Sequence, residues 1–408
     1  MAQATSTAAV SLDDVRSARE LIKNVIRETP VRLAGALAEL AGGPVYVKCE
    51  NLQRAGSFKI RGAYVRMARL SPEEQARGVV AASAGNHAQG VALAAQLLGI
   101  DAVVYMPVDA ALPKVAATKE YGAEVRPHGS SVDEALVEAR AEAERTGRVL
   151  IHPFDHEDIV AGQGTLALEI LEQVPDVRTI VVPLGGGGLA AGIQAVVAEL
   201  APHVRVIGVQ AARAAAYPAS LVAGEPVAAP ELHTMADGIA VGTPGAVPFA
   251  LLRRHGCEVR TVSEEDLSRA LLLVAERAKL LVEPSGAAGV AAVMAAPGEL
   301  EGPVVVVLSG GNIDPLVLLR VVRHGLAVSG RYLQLRVRVH DTPGALAGLL
   351  RELATTGGNV MHVSHVRTGV DLEIDEVEIE VQVETKGPEH CARVLQHLRD
   401  GGFRLAEH

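Results

Sequence analysis

The sequence predicts an α/β fold for about the first 320 residues and, after them, a smaller domain built on an antiparallel sheet. Two patterns support this division. In the first part, short apolar segments such as 79–82 and 102–106 alternate with longer helical segments, which is typical of parallel strands buried on both faces. In the second part, apolar and polar residues alternate along 331–340 and 376–384, which indicates strands with one solvated face.

The predicted elements of the α/β part begin with an amphipathic helix over 12–40, interrupted near Thr29 and Pro30, and a strand over 45–47. A loop ends at Gly56, and the next helix is predicted to start where Ser57 caps free backbone N–H groups. Further strands are predicted over 79–82, 102–106, 123–126, 149–151, 179–182, 205–209 and 304–308. Further helices are predicted over 88–98, 113–121, 132–145, 162–172 and 189–200.

The elements of the second part follow the order βαββαβ, which is the order of a ferredoxin-like module. Strands are predicted over 331–340, 359–366 and 376–384 and near Phe403, and helices over 344–355 and 388–399. The sequence therefore predicts two domains, 1–325 and 331–408, with 321–330 as the linker.

Net charge, cysteine spacing and the lengths of apolar runs argue against several classes of protein. The formal net charge is −10, which argues against nucleic acid or an anionic membrane as the partner. Cys49, Cys257 and Cys391 are far apart and form no C-x-x-C pair, so neither a disulfide framework nor a zinc site is expected. No apolar run reaches the roughly 18 residues of a membrane span, and the first residues lack a signal-peptide pattern. A cytoplasmic protein without a membrane partner is expected.

Lys59 lies in the first turn of the helix that follows Gly56, where the positive end of the helix dipole disfavours an ammonium group. A neutral lysine amine is a nucleophile that forms Schiff bases with carbonyl compounds, provided that burial or nearby positive charge lowers its pKa. Arg54 and Arg61 are the candidate charges. By itself, Lys59 could equally be a solvated surface lysine.

Two further segments place small residues between a predicted strand and a predicted helix. Residues 83–90 (Ser-Ala-Gly-Asn-His-Ala-Gln-Gly) precede and begin a helix, whose N-terminus favours a carboxylate or a phosphate. Residues 185–188 are four consecutive glycines, whose backbone amides could wrap closely around a phosphate. An ordinary strand-to-helix turn is the alternative for each segment.

A third segment, 309–312 (Ser-Gly-Gly-Asn), follows the apolar strand 304–308, at the carboxyl end where open α/β sheets bind ligands. Glu283 lies upstream in the segment Glu-Pro-Ser-Gly-Ala, for which simple turn chemistry is the alternative. No acidic residue ends the strand after the glycine loop, so a dinucleotide site is disfavoured. Together, the lysine, the carboxylate loop, the phosphate loop and the strand-end serine predict a pyridoxal phosphate site.

With these motifs, residues 10–325 resemble the fold-type II pyridoxal-phosphate enzymes, of tryptophan synthase β-like fold, and within them the serine/threonine dehydratases. The matching segments are 57–63 (Ser-Phe-Lys-Ile-Arg-Gly-Ala), 83–90, 161–165, 185–189 and 309–312. The second part, with 339–346 (Val-His-Asp-Thr-Pro-Gly-Ala-Leu), is similar to an ACT domain, an amino-acid-sensing module. The resemblance implies a two-lobed catalytic domain over 1–325, its smaller lobe of about 52–150 inserted in the larger, and an ACT domain over 331–408.

The resemblance also implies roles for the site residues. Lys59 would hold the cofactor as a Schiff base and remove the α-proton of the substrate. The other cofactor-binding residues would be Phe58, Asn86 at the ring hydroxyl, Gly185, Gly186, Gly187, Gly188 and Leu189 at the phosphate, Glu283, and Ser309 at the ring nitrogen. The substrate carboxylate would be held by Ser83, Ala84, Gly85, Asn86 and His87. Because a serine does not protonate the ring nitrogen as an aspartate would, departure of a β-hydroxyl is favoured over a long-lived carbanion.

The implied activity is the deaminating dehydration of L-threonine to 2-oxobutanoate and ammonia, and of L-serine to pyruvate. Since 2-oxobutanoate leads to isoleucine, isoleucine or valine is the expected effector of the ACT domain. The effector residues would be Asp341, Pro343, Gly344, Ala345 and Asn359. ACT domains usually pair edge to edge, so a homodimer or homotetramer is expected, and a purely structural oligomerisation domain is the alternative.

An amino-acid racemase of the same fold, or a related 3-hydroxyaspartate ammonia-lyase, is the nearest alternative activity. The racemases that the chain resembles have a serine hydroxyl at the position of Ala84, and alanine has no proton to exchange. They also place carboxylates for a divalent cation where this chain has Gln210 and Ala216, so neither a metal site nor magnesium dependence is expected. A non-catalytic amino-acid sensor is a third interpretation, but a sensor needs no activated amine such as that of Lys59.

Overall fold

The computed structural model describes residues 10–367 and 372–406, whose strands form three sheets. The strands of a first compact unit, which ends at Val317, are β1 (Val31–Leu33), β2 (Val45–Lys48), β3 (Val79–Ala82), β4 (Ala102–Met106), β5 (Glu124–Pro127), β6 (Val149–Leu150), β7 (Thr179–Pro183), β8 (Arg205–Ala211), β9 (Glu258–Val262) and β10 (Val304–Val307). Its helices are α1 (Leu12–Ile22), α2 (Gly35–Ala41), α3 (Lys59–Ala68), α4 (Pro72–Arg77), α5 (Asn86–Leu98), α6 (Leu112–Glu120), α7 (Val132–Thr146), α8 (Glu157–Gln173), α9 (Gly188–Leu200), α10 (Tyr217–Ala223), α11 (Ala246–Arg254), α12 (Glu264–Leu273) and α13 (Pro284–Ala295).

The first unit contains two sheets. The larger sheet has the strand order β1-β2-β10-β7-β8-β9 and is parallel except for the β1–β2 pair. The smaller sheet has the order β5-β4-β3-β6 and is parallel throughout. Because β3 to β6 lie between β2 and β7 in the chain, the segment with the smaller sheet is inserted between strands of the larger one. The predicted α/β fold is confirmed.

Runs of apolar residues form the central strands of both sheets. All four valines of β10 are buried, as a strand in the middle of a covered sheet requires. In the larger sheet, β7 and β10 are parallel neighbours. Their carboxyl ends therefore share one edge, which brings the loop 184–187 after β7 and the loop after β10 to the same side of the sheet.

Glycines allow α3, α8 and α9 to pack closely. Where α3 meets α8, a Cβ on Gly162 would lie 2.6 Å from the Cα of Gly62. Where α8 meets α9, a Cβ on Gly164 would lie 2.8 Å from the carbonyl oxygen of Gly192. A larger residue at either glycine would push the helices apart. The motif around Gly162 therefore has a packing role that fixes the position of α3.

A buried set of charges also holds α3. The guanidinium of Arg61 donates two 2.8 Å hydrogen bonds to Glu50 and one of 2.6 Å to Glu169. Glu169 also accepts a 2.6 Å hydrogen bond from Lys48, and all four side chains are buried. Because each charge has a partner of opposite sign, the free-energy cost of removing these groups from water is offset.

The second unit begins at Leu318 and contains β11 (Tyr332–His340), α15 (Ala345–Thr355), β12 (Asn359–Val366), β13 (Glu376–Glu384), α16 (Pro388–Asp400) and β14 (Arg404–Leu405). Its antiparallel sheet has the order β12-β13-β11-β14. Alternate residues such as Val337 and Ile379 are buried in a core shared with Leu349 and Leu353 of α15. The predicted ferredoxin-like βαββαβ fold is confirmed.

The structure differs from the predicted elements in three regions. Residues 31–33, which the predicted helix over 12–40 includes, form strand β1 because they pair with β2. The predicted linker over 321–330 is helical over most of its length, because α14 (Pro315–Val328) continues through it with apolar residues at helical spacing. Between 210 and 303, helices α10 to α13 and strand β9 are present although the sequence patterns do not predict them. In α13, small residues such as Ala and Gly dominate and most are buried, so no polar face marks the segment as a helix.

Cys49, Cys257 and Cys391 are free thiols. Within residues 10–367 and 372–406, no helix combines the length and apolar character needed to cross a membrane.

Candidate active site

Lys59 is the first residue of α3 and lies in its first turn, as the sequence predicts. The predicted cap at Ser57 is wrong, because the N-cap is Phe58 and the side chain of Ser57 caps nothing. Ser57 instead has an extended backbone and forms a β-bridge with Gly310, beside the end of β10. This pairing joins the start of the Lys59 helix to the strand-end loop.

Burial makes the Lys59 amine less basic. Its Nζ donates a 2.9 Å hydrogen bond to the carbonyl oxygen of Pro153 and lies 5.2 Å from the centre of the Phe58 ring. Desolvation lowers the pKa of Lys59 to about 8, while the negative charge of Glu283 acts in the opposite direction. The neutral amine that the sequence predicts is therefore accessible near physiological pH.

Of the two causes that the sequence allows for this lowered pKa, burial is confirmed and nearby positive charge is wrong. The sequence suggests Arg54 and Arg61 as the source of positive charge, but the guanidinium of Arg61 faces Glu50 and Glu169. Loss of hydration lowers the pKa of Lys59 instead. Arg61 is close to Lys59 along the chain, but residues two apart on a helix point in different directions.

A cavity of about 630 Å³ brings the predicted cofactor and substrate residues together. Its lining includes Phe58, Lys59, Ser83, Ala84, Gly85, Asn86, His87, Gly185, Gly186, Gly187, Gly188, Leu189, Glu283 and Ser309. The predicted effector residues Asp341, Pro343, Gly344, Ala345 and Asn359 belong to the second unit.

The loop after β3 and the first turn of α5 form one wall of the cavity. The backbone N–H of Gly85 donates a 3.1 Å hydrogen bond to the Ser83 hydroxyl. The side chain of Asn86 donates a 2.5 Å hydrogen bond to Glu283 and accepts one of 2.8 Å from Asn312. The first N–H groups of α5 have no partner within the helix, so this wall can bind an anion.

His87 contributes to this wall through its backbone. Its Nε2 lies 2.8 Å from the carbonyl oxygen of Ile151, and only a protonated Nε2 can donate to that oxygen. Burial lowers the pKa of His87 to about 3, so the imidazole is neutral at physiological pH. The imidazole therefore has no second N–H for a carboxylate, and the contribution of His87 to anion binding is its main-chain N–H.

The glycine loop after β7 is shaped by its neighbours. Gly187 is the N-cap of α9 and has φ +103°, a conformation that strains other residues. A Cβ on Gly186 would overlap the ring of Phe154, and one on Gly187 would overlap the Tyr217 hydroxyl. The loop thus leaves room only for backbone, whose N–H groups at the N-terminus of α9 favour a phosphate.

Glu283 and Ser309 complete the cavity. Glu283 is the N-cap of α13 and is buried, with 3% of its surface exposed. Desolvation, and then the charge of Asp237, raises the pKa of Glu283 to about 7. Ser309 follows β10 closely and is also buried.

Several residues of the cavity are absent from the sequence-based prediction. They include His152 and Phe154 after β6, Lys114 on α6, and Asp237 between β8 and β9. The nitrogen Nδ1 of His152 accepts a 2.9 Å hydrogen bond from the backbone of Asp155. A signal was present for Phe154, since the chain has only four phenylalanines and this one follows a predicted strand.

The loop expected to lack metal ligands is organised by internal hydrogen bonds. The Oε1 of Gln210 accepts a 2.9 Å hydrogen bond from the backbone N–H of Tyr217, and Ala216 is the N-cap of α10. In the part of the chain that the structure describes, no group of three or more His, Cys, Asp or Glu residues is placed to hold a metal ion.

The fold and the cavity define a pyridoxal-phosphate enzyme. Residues 22–310 match the family model described as "Pyridoxal-phosphate dependent enzyme", and the chain belongs to this family. The predicted enzyme class and cofactor are confirmed.

Several known members of this family are similar to the chain. The chain is 43% identical to an L-threonine ammonia-lyase of Thermotoga maritima, over 97% of this chain and 99% of that protein. A structure of threonine deaminase isoform 2 from Solanum lycopersicum has 35% identity and a TM-score of 0.72, covering 78% of this chain and 95% of that one. A serine racemase structure from Dictyostelium discoideum has 36% identity and a TM-score of 0.69, covering 75% of this chain and 100% of that one.

The geometry of the cavity fits pyridoxal phosphate. Lys59 offers a buried amine of lowered pKa for the aldehyde. The loop 185–188 has no side chains, lines the cavity and leads into the N-terminus of α9, where free backbone N–H groups favour a phosphate. Ser309 lies at a strand end in the same cavity, where it can contact a ring.

Proposed function

We propose that this chain catalyses the deaminating dehydration of L-threonine to 2-oxobutanoate and ammonia, and of L-serine to pyruvate. The observation that carries the proposal is the single cavity in which Lys59, the anion-binding loop 83–87 and the glycine loop 185–188 meet. The relative named L-threonine ammonia-lyase, which aligns with 97% of the chain, supports the choice of substrate.

Residues of the cavity would hold the cofactor in defined places. Lys59 would hold it covalently, Asn86 would contact its ring hydroxyl and Ser309 its ring nitrogen. The remaining contacts would come from Phe58, Gly185, Gly186, Gly187, Gly188, Leu189 and Glu283. Pyridoxal phosphate, when bound, supplies an electron sink that acidifies the α-C–H bond of the substrate.

Lys59 is the base that removes the α-proton of the substrate. With a pKa of about 8, its Nζ is neutral in a usable fraction of molecules near neutral pH and accepts the α-proton. The first N–H groups of α5, with Ser83, bind the carboxylate and thereby orient the α-C–H bond towards the amine. Since Ser309 offers no strong acid to the ring nitrogen, loss of the β-hydroxyl is favoured, and this group departs as water with the proton that Lys59 has accepted from the α-carbon. The enamine product then takes up water to give the 2-oxo acid and ammonia.

Serine racemisation is a second candidate, which the similarity to the Dictyostelium structure favours. Racemisation needs a proton donor on each face of the α-carbon. Ala84 lines the cavity but has no proton to donate. Dehydration, which needs only the proton transfer at Lys59, is therefore the better assignment.

The Lys59→Ala variant tests the assignment. We expect 2-oxo acid release from L-threonine to fall to background, while the exposed Lys119→Ala variant on α6 keeps wild-type turnover. Borohydride reduction of the wild type, followed by peptide mapping, should place the cofactor label on Lys59. Substantial turnover by Lys59→Ala, or a label on another lysine, would refute the assignment. Amino-acid binding by the wild type without release of a 2-oxo acid would instead indicate a sensor.

We also propose that the second unit is an ACT domain that lowers activity when it binds isoleucine or valine. Binding would involve Asp341, Pro343, Gly344, Ala345 and Asn359, at the loop after β11 and the start of β12. Gly344, with φ +97°, is the N-cap of α15, so free N–H groups at this loop suit a carboxylate. Partner chains would pair edge to edge as a homodimer or homotetramer, in a cytoplasmic setting that suits three free thiols.

Regulation is tested by steady-state kinetics with and without isoleucine and valine. We expect Asn359→Ala to lose the response and the exposed control Glu389→Gln on α16 to retain it. Kinetics that neither amino acid changes, and that are the same for a chain ending at Val328, would leave the second unit with a structural role only.

A further inference from the structure

Lys114 connects the two sheets of the first unit at the wall of the cavity. It lies on α6, next to the smaller sheet, and its ammonium group forms an ion pair with Asp237, in the segment between β8 and β9 of the larger sheet. Both residues line the cavity that contains Lys59.

The two members of this pair differ in exposure. The side chain of Lys114 is 13% exposed, whereas that of Asp237 is 56% exposed. The side chain of Lys114 is thus mostly enclosed in the cavity wall, whereas its partner carboxylate is largely in solvent. Because a half-exposed, solvent-screened ion pair contributes little stability, an anion that enters the cavity can replace Asp237 as the partner of Lys114.

A place for that anion lies beside Lys114. Its Nζ is 3.7 Å from the position that a Cβ on Gly85 would occupy. Gly85 is the N-cap of α5 and lies between Ser83 and Asn86, in the loop assigned above to the substrate carboxylate. The ammonium group, the Ser83 hydroxyl and the first N–H groups of α5 thus border the same part of the cavity.

We propose that Lys114 is a specificity-determining residue that binds the substrate α-carboxylate, and that Asp237 holds its ammonium group in place until the substrate replaces Asp237 as partner. This inference rests on the proposed function and adds a residue to its substrate site. The ligand class is amino acids with a free α-carboxylate, so amides and esters of the same amino acids bind poorly.

The Lys114→Met variant measures the contact in the holoenzyme. A carboxylate contact made in both the ground state and the transition state changes KM more than kcat. We expect KM for L-threonine to rise on the order of tenfold, as for loss of one charge-assisted hydrogen bond, and kcat to change less than about threefold. Calorimetric Kd values for butanoate should rise by the same factor, whereas those for butanamide should not change.

The reversed double variant Lys114→Asp with Asp237→Lys separates carboxylate binding from a merely structural pair. It restores an ion pair between the same positions but places a carboxylate beside Gly85. We expect its Tm to return towards that of the wild type, while KM and the butanoate Kd remain as poor as in Lys114→Met or become worse. Asp237→Asn removes the carboxylate partner of Lys114, so the butanoate Kd should be unchanged or lower than in the wild type.

Two results would overturn the inference. One is a Lys114→Met variant whose KM and butanoate Kd stay within about twofold of wild type, and the other is a reversed pair that restores both values. Failure of the proposed function is distinguishable, because the wild type would then release no 2-oxo acid. The comparison of butanoate with butanamide still tests Lys114 in that case.

Discussion

The side-chain amide of Asn86 donates a 2.5 Å hydrogen bond to Oε1 of Glu283, a residue 197 positions further along the chain. This bond joins the first turn of α5 to the N-cap of α13 across the cavity. Burial and the nearby charge of Asp237 raise the pKa of Glu283 to about 7. Glu283 therefore changes charge near pH 7, and that charge acts on Lys59.

The Glu283→Gln variant should lower the pKa of Lys59. The carboxylate of Glu283 stabilises the ammonium form of Lys59, so its removal favours the neutral amine. In cofactor-free protein, capture of pyridoxal phosphate requires that neutral amine, so the rate should rise about tenfold per pH unit below the pKa of about 8 and level off above it. Stopped-flow absorbance measures this profile. A midpoint that is unchanged or higher in Glu283→Gln would contradict the coupling.

The Gly186→Ala variant should weaken cofactor binding by a steric route. Its Cβ would overlap the Phe154 ring, and such overpacking costs roughly 1–3 kcal/mol. We expect the Kd of pyridoxal phosphate to rise about tenfold or more. Because the obstacle is one side chain, Phe154→Ala should restore much of the affinity when it is combined with Gly186→Ala. Additive losses in the double variant would show that the ring is not the cause.

The sequence predicts secondary structure best in segments where apolar residues either form an uninterrupted run or alternate strictly with polar ones. The predicted strands 79–82 and 376–384 coincide with β3 and β13, because an apolar run and a strict alternation each define a strand. No pattern predicts α13, because small, buried residues give it no polar face. Helix α14 is also missing from the predicted elements, because the change of pattern suggests a linker there, whereas its apolar residues at helical spacing continue a helix.

The sequence predicts which residues line the site better than it predicts which residues they bond to. Glycine-rich loops and Lys59 carry strong local signals, because few structural roles require them at a strand-to-helix turn. The pairs Asn86–Glu283 and Lys114–Asp237 have no local signal in the sequence, since each joins residues far apart in the chain. The wrong assignment of Arg61 has a similar origin, because its partners Glu50 and Glu169, 11 and 108 positions away, both lie outside its own helix.

The Arg61→Met variant should destabilise the first unit. It leaves Glu50 without its guanidinium partner, although Lys48 still pairs with Glu169. Loss of one partner from a buried ion pair costs roughly 3–5 kcal/mol in the free energy of unfolding. Urea unfolding measures the change, and Arg61→Met combined with Glu50→Gln should recover part of it. A double variant less stable than Arg61→Met alone would contradict this account.

Activity should not depend on magnesium. The amide oxygen of the buried Gln210 already accepts a hydrogen bond from Tyr217, and Ala216 offers no oxygen from its side chain. A hard divalent cation therefore lacks the carboxylate oxygens that it prefers. We expect turnover of L-threonine to stay constant during titration with EDTA and then with magnesium chloride. A strong loss with EDTA that magnesium reverses would reveal a cation site.

His87 should make the stability of the enzyme fall as the pH is lowered. Burial lowers its pKa from 6.5 to about 3, so between these values the unfolded chain binds a proton that the folded protein does not. The contribution of His87 to stability is therefore complete above pH 6.5 and decreases towards pH 3, by about 2 kcal/mol between about pH 7.5 and pH 5. His87→Gln, whose amide can still donate to Ile151, should remove this part of the pH dependence. Urea unfolding at both pH values measures it, with the exposed His255→Gln as the control. Equal pH dependence in His87→Gln and wild type would show that the imidazole is protonated in the folded protein.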